Sequence, residues 1–156
     1  MARSRRTKPA RNAEGPRWPR CLGGCGGPAA PKGPPAFSVV VPVQTVSETN
    51  RRDRWGLVKR KEKQRGAVFE AVAVELGKPG RSIPTRGPFY VRYTRVTSRV
   101  IWDAGNLPAS VKAVEDQMCA CIGVDDGSGL YQGAYTQEPR AGRPESVRIE
   151  VWGAPA

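Results

Sequence analysis

Five carboxylates crowd one stretch of an otherwise basic chain. Between Ile101 and Gly127 lie Asp103, Glu115, Asp116, Asp125 and Asp126, and only Lys112 answers them in charge. Carboxylates are the ligands that hard divalent cations take, and two of them brought together repel unless a cation sits between. Asp103 with Asp126, and Asp125 beside it, is the candidate ligand set for Mg²⁺. Such an ion would activate a water and stabilise charge growing on a phosphodiester. Lys112 is the candidate partner of a pentavalent phosphate or of the nucleophile. Each residue also has an ordinary reading: Lys112 as a helix-spaced partner of Glu115 or Asp116, and Asp125-Asp126-Gly127 as a plain turn.

The rest of the chain suits a polyanionic partner. Its 156 residues carry 26 Lys and Arg against 14 Asp and Glu, a net charge of +12, which points to nucleic acid or an anionic surface. There is no histidine, so imidazole catalysis and His-based triads are excluded. No apolar run reaches the roughly 20 residues of a membrane span, and no apolar segment follows the basic start as in a secretory signal. The expectation is a cytoplasmic protein of a bacterial or phage-infected cell, without a membrane partner. Four cysteines then argue against disulfides. Cys21 and Cys25 with Cys119 and Cys121 would make a poorly spaced zinc site, and small apolar packing is the plainer reading.

Four strands and two helices must position these groups. Residues 1–36 are rich in Arg, Pro and Gly, with Glu14 as the single acid, and predict a disordered basic tail. From Phe37 to Val43 alternate residues are apolar, predicting a strand that ends near Pro42. Arg51 to Leu76 predicts a helix, with a break plausible at Gly56 or Gly66. Its first half carries Arg51, Arg52, Arg54, Lys59, Arg60, Lys61, Lys63 and Arg65, candidates for DNA phosphate contact, with Trp55 available to pack or stack. Its second half places Val68, Phe69, Val72 and Leu76 at core spacing. A loop over 77–87 leads to a second strand from Phe89 toward Ile101, irregular near Ser98. Asn106 is a helix cap, and Leu107, Val111, Val114, Met118 and Cys121 mark an amphipathic helix ending at Gly123. Two further strands, Leu130–Gln137 and Ser146–Trp152, complete the order β-α-β-α-β-β. The prediction is a single α+β domain over 37–153, with helices packed on a mixed or mainly antiparallel sheet. Asp103 and Asp126 flank a helix of roughly 20–25 Å. They can meet only if the chain turns back after it and the next strand lies beside the strand before it.

The run Asp103-x-x-Asn106-Leu-Pro-Ala-Ser-Val-Lys112-Ala-Val-x-Asp116, followed by Ile122-Gly-Val-Asp125-Asp126-Gly127, resembles the signature of RusA-type Holliday junction resolvases, many of them phage-encoded. Members show closely spaced aspartates before an Asn, a Lys on the next helix, an Asp one turn on, and then an Asp-Asp pair. The likeness extends over about Phe37 to Val151 in element order and in the Arg-rich first helix. It implies a homodimeric, Mg²⁺-dependent endodeoxyribonuclease of recombination and repair. Such enzymes cut four-way or branched DNA by paired nicks. It also implies metal-binding roles for Asp103, Asp125 and Asp126, and catalytic roles for Asp103, Lys112 and Asp126. Gly105 stands where the family has a second Asp, and Ala104 where many members have a further acid. Fewer anionic ligands bind Mg²⁺ more weakly. The alternative is therefore a non-catalytic junction- or DNA-binding protein with a degenerate site. A third, weaker reading is a basic RNA-associated protein. Glu115 and Asp116, about three turns up the helix, are expected to face away from the site or to pair with Lys112.

Overall fold

The computed structural model describes residues 30–46, 54–99, 101 and 106–153. The tail over 1–29 with Cys21 and Cys25, the basic residues Arg51 and Arg52, and the loop residues Asp103, Ala104 and Gly105 lie outside them, as does the side chain of Arg54.

The protein is an α+β domain with the predicted element order: β1 (Phe37–Val41), α1 (Arg54–Leu76), β2 (Phe89–Thr97), α2 (Asn106–Ile122), β3 (Tyr131–Pro139) and β4 (Ser146–Trp152). The four strands form one mixed sheet in the order β1-β4-β2-β3. β4 runs antiparallel to both β1 and β2, with Val39 opposite Ile149 and Tyr93 opposite Ile149 from the other side. β2 and β3 are parallel, Phe89 facing Tyr131 and Thr97 facing Pro139. A parallel pair needs a crossover, and α2 supplies it. The strand after α2 thus lies beside the strand before it, as a meeting of Asp103 with Asp126 requires.

Alternation builds the core. Phe37, Val39 and Val41 of β1, Phe89, Val91 and Tyr93 of β2, and Val147, Ile149 and Val151 of β4 are buried against Val68 and Val72 of α1 and Val111, Val114, Met118 and Ile122 of α2. Tyr90, Ala134 and Trp152 form a smaller cluster, where the Tyr90 and Trp152 rings meet edge to face and Arg92 lies over the indole. Gly33, four residues before β1, accepts a hydrogen bond from Trp152 Nε1 (3.2 Å).

Several expectations need correction. β1 is not among them: it ends at Val41, beside Pro42 as predicted, because proline cannot donate to a ladder. α1 is one unbroken helix of 23 residues through both glycines. Helix packing outweighs a propensity penalty of about 1 kcal/mol per glycine. Phe69 is 61 % exposed and Leu76 is partly exposed. The buried stripe of α1 runs through Gln64, Val68 and Val72 instead, and Gln64 Nε2 donates to the Gln44 carbonyl (3.0 Å). β2 ends at Thr97 and does not reach Ile101. α2 ends as predicted. Gly123 is left-handed at φ +71°, and its N–H reaches Ala120 O while Val124 N–H reaches Cys119 O. These two bonds satisfy the carbonyls that a helix end leaves open.

Candidate functional site

The Gly123 cap turns the chain back along α2. Val124 to Leu130 therefore returns beside the helix, and Asp126 comes level with Lys112 although 14 residues separate them. Lys112 Nζ donates to Asp126 Oδ2, and it also lies 3.0 Å from Asp116 Oδ1 and 3.4 Å from Glu115 Oε2. One ammonium thus draws three carboxylates together. Burial alone would pull the Lys112 pKa down, but its hydrogen bonds to Asp126 and Asp116 and the charge of Glu115 outweigh this, and the pKa lies above the ordinary lysine range. Asp126 responds in the opposite sense: the Lys112 hydrogen bond and charge hold its carboxyl below the usual range. Asp125 Oδ1 is occupied by the Gly127 N–H at 2.8 Å, an Asx turn that fixes the Asp125-Asp126 corner.

Glu115 pairs with Lys112, one of the two places expected of it, but does so from inside the fold. It does not face away on the helix surface; it is 4 % exposed and points into the gap between α2 and β3. Its Oε1 accepts hydrogen bonds from the hydroxyls of Tyr131 (2.8 Å) and Tyr135 (2.6 Å). Those tyrosines share one face of β3 with Gly133 between them, because side chains two residues apart on a strand point the same way. The Tyr131 and Tyr93 hydroxyls are hydrogen-bonded (3.1 Å), and the Tyr93 and Tyr135 rings stack at 5.8 Å. Burial, reinforced by the Glu115 charge, raises the pKa of Tyr131 and Tyr135 and keeps both protonated as donors. The wheel position of Glu115, four residues after Val111 and three before Met118, carried the signal for this burial.

Pro108, Ala109, Lys112, Glu115, Asp126, Tyr131, Gln132, Gly133 and Tyr135 line a cavity of about 490 Å³. A second hollow of about 390 Å³ lies on the far side of Asp126, lined by Asp116, Cys119, Asp125 and neighbouring backbone. Cys119 is buried and Cys121 half-buried, and both are free thiols. Burial pushes the Cys119 thiol up to about 11.

Helix α1 is wired to the site. Arg65 Nη2 donates to Asp116 Oδ2 (3.2 Å), and Asp116 in turn touches Lys112. Lys59, Lys63 and Arg65 are exposed, and Arg60 and Lys61 partly so. Trp55 is 80 % exposed. The basic surface of α1 therefore meets the carboxylate cluster around Lys112 through Arg65.

Polar side chains hold the backbone around Arg99 and Ile101. The Gln137 side chain pairs with both backbone groups of Ile101, accepting from its N–H (2.9 Å) and donating to its carbonyl (2.6 Å). The buried Arg95 donates to Thr45 Oγ1 (2.6 Å), to the Thr45 carbonyl (2.9 Å) and to the Arg99 carbonyl (2.6 Å). Neither residue stood out from its strand pattern as a candidate. A polar residue inside an alternating strand was the available signal.

Of the predicted metal ligands, Asp125 and Asp126 stand together at the turn, and Asp103 lies outside the described residues. Among the described residues, no three of Asp, Glu and Cys converge in an arrangement that would hold a metal ion, since Lys112 occupies the point where the carboxylates meet. No helix among the described residues is long and apolar enough to cross a membrane. No family model, curated protein or solved structure matches this chain.

Proposed function

We propose that this chain is a RusA-like endodeoxyribonuclease that nicks four-way or branched DNA with Mg²⁺, acting as a homodimer. The observation that carries the reading is the Lys112–Asp126 contact. Two residues of the resolvase-like signature, 14 residues apart in sequence, converge beside a cavity, and the basic helix α1 reaches the same charge cluster through the Arg65–Asp116 pair. Side chains on a helix lean toward its N-terminus, and the same cavity includes Pro108 and Ala109 from the first turn of α2. Lys112 is about 9 Å along the axis from Asn106. The cavity therefore lies toward the end of α2 at which Asp103 precedes the helix in sequence. In this reading Asp103, Asp125 and Asp126 hold Mg²⁺, which supplies an activated water and stabilises charge on the phosphodiester. Lys112 stays protonated and faces the scissile phosphate. Exposed Lys59, Lys63 and Arg65, with the other basic residues of α1, neutralise flanking phosphates.

A second reading has its own support. Lys112 is compensated by three carboxylates, and Gly105 withholds the acid found at that position in the resolvase signature. Both features suit a non-catalytic junction-binding protein. Purified full-length protein incubated with a synthetic four-way junction, over a Mg²⁺ and Mn²⁺ titration, separates the two. Symmetric nicks that vanish in Asp126→Asn and Lys112→Ala support the nuclease. Binding without cleavage at every metal concentration supports the second reading, and cleavage gained in Gly105→Asp would then identify the missing ligand.

A further inference from the structure

The resolvase-like signature leaves Glu115 without a role, yet it is the most enclosed acid of the site. Among the described carboxylates around Lys112, Asp116 is 35 % and Asp126 41 % exposed at the side chain, against 5 % for Glu115. A buried carboxylate demands hydrogen bonds and a counter-charge. The hydroxyls of Tyr131 and Tyr135 supply the first through Oε1. Oε2 is left toward Lys112 Nζ at 3.4 Å. Gly133 makes the fit possible: a Cβ there would lie 3.0 Å from Glu115 Oε1 and 2.8 Å and 3.1 Å from the two hydroxyls. The carboxylate cannot rotate without abandoning two enclosed hydroxyls. The lysine stem, by contrast, is a flexible chain with much rotamer freedom to lose.

We infer that Glu115 is a positioning residue: the Tyr131–Gly133–Tyr135 cradle fixes its carboxylate, and that carboxylate fixes the Lys112 ammonium at the mouth of the cavity. Asp116 is half-buried and shared with Arg65, and Asp126 sits on an exposed turn, so each can be drawn to another partner. When a phosphate approaches or Asp126 turns to a cation, Lys112 keeps one immobile partner and remains aimed at the cavity. The catalytic part of this inference rests on the nuclease reading; the placement of Lys112 by Glu115 does not.

The test is Glu115→Gln in the full-length protein. Glutamine keeps an acceptor for both tyrosine hydroxyls, so a merely structural role survives, while the charge that holds Lys112 is lost. On a synthetic four-way junction at saturating Mg²⁺, kcat is expected to fall about 10²-fold, the scale of a misplaced catalytic group, with KM changed by less than about threefold. Tyr135→Phe, which keeps the charge but frees one side of the cradle, is expected to lower kcat by about tenfold on the same argument. Nitrogen-15 NMR of the lysine ammonium groups reads placement without activity: an ordered Lys112 signal in the parent becomes mobile in Glu115→Gln. A kcat within about twofold of the parent in both variants overturns the inference. So does a Lys112 ammonium equally ordered in parent and Glu115→Gln. If the parent cuts no junction, the nuclease reading fails, and the ammonium order alone decides whether Glu115 places Lys112.

Discussion

Two glycine-to-alanine substitutions are predicted to move stability in opposite directions. In Gly133→Ala the new Cβ would stand 2.8 Å from Tyr135 Oη, 3.0 Å from Glu115 Oε1 and 3.1 Å from Tyr131 Oη. The Tyr135 ring cannot slide away freely, because it stacks on Tyr93 and its hydroxyl is tied to Glu115. Overpacking of this kind costs about 1–3 kcal/mol. Loss of one hydrogen bond to the carboxylate adds about 1.5–3 kcal/mol. Restricting the unfolded chain returns about 0.4–1 kcal/mol. The expected net loss is about 3 kcal/mol, or roughly 1.5 M in urea midpoint for a slope near 2 kcal/mol per molar. At Gly66 a Cβ meets nothing within 4 Å, and the residue lies inside α1. Gly66→Ala should therefore stabilise by about 1 kcal/mol, moving the midpoint up by roughly 0.5 M. Urea unfolding followed by circular dichroism reads both. Adding Tyr135→Phe to Gly133→Ala removes the atom with the closest contact, so the double variant should be more stable than the sum of the singles. A Gly133→Ala midpoint equal to the parent, or additive singles, would refute the cradle geometry.

Arg95 is buried and makes three hydrogen bonds to Thr45 and Arg99. Arg95→Lys, which cannot span all three acceptors, is expected to cost about 2 kcal/mol by urea unfolding, and an unchanged midpoint would contradict the bonding described. The Arg65–Asp116 pair is largely exposed, so Arg65→Ala should change stability by less than about 1 kcal/mol. The same variant should reduce the salt slope of junction binding by about one unit, measured by titration over a range of salt concentrations; an unchanged slope would remove Arg65 from the DNA contact. With its pKa near 11, Cys119 should carry only about 10⁻³ thiolate at pH 8 and resist iodoacetamide in the native state. Mass spectrometry should show alkylation rising with pH toward 11, and labelling at the rate of an unfolded control at pH 8 would contradict the burial.

Patterns that repeat were legible in the chain, and contacts between elements were not. Strand alternation placed Phe37 to Val41, the run from Phe89 and the last two strands, because one face of each packs on the core. The helical spacing of Val111, Val114 and Met118, ended by Gly123, located α2 and the turn to Asp126. Pattern failed where a tertiary partner decided the outcome. Phe69 shares the apolar spacing of α1, yet the packing of Val68 and Val72 against the core turns it outward. Glu115 looked like a surface acid because charge dominates a helical-wheel reading, while the tyrosines that receive it come from a strand 16 to 20 residues away. A glycine between two tyrosines of one strand face is, in retrospect, the mark of a close approach by another element. Arg95 and Gln137 escaped notice for the same reason, since their partners lie in other segments, Thr45 and the backbone around Arg99 and Ile101.

The most direct test of the account is cleavage of a synthetic four-way junction by the full-length chain across a Mg²⁺ titration, with Lys112→Ala and Asp126→Asn run beside it. Paired, metal-dependent nicks near the branch point are expected in the parent, with a loss of about 10²-fold or more in each variant. A parent that binds the junction and leaves it intact at every metal concentration, or variants that cut as fast as the parent, would contradict it.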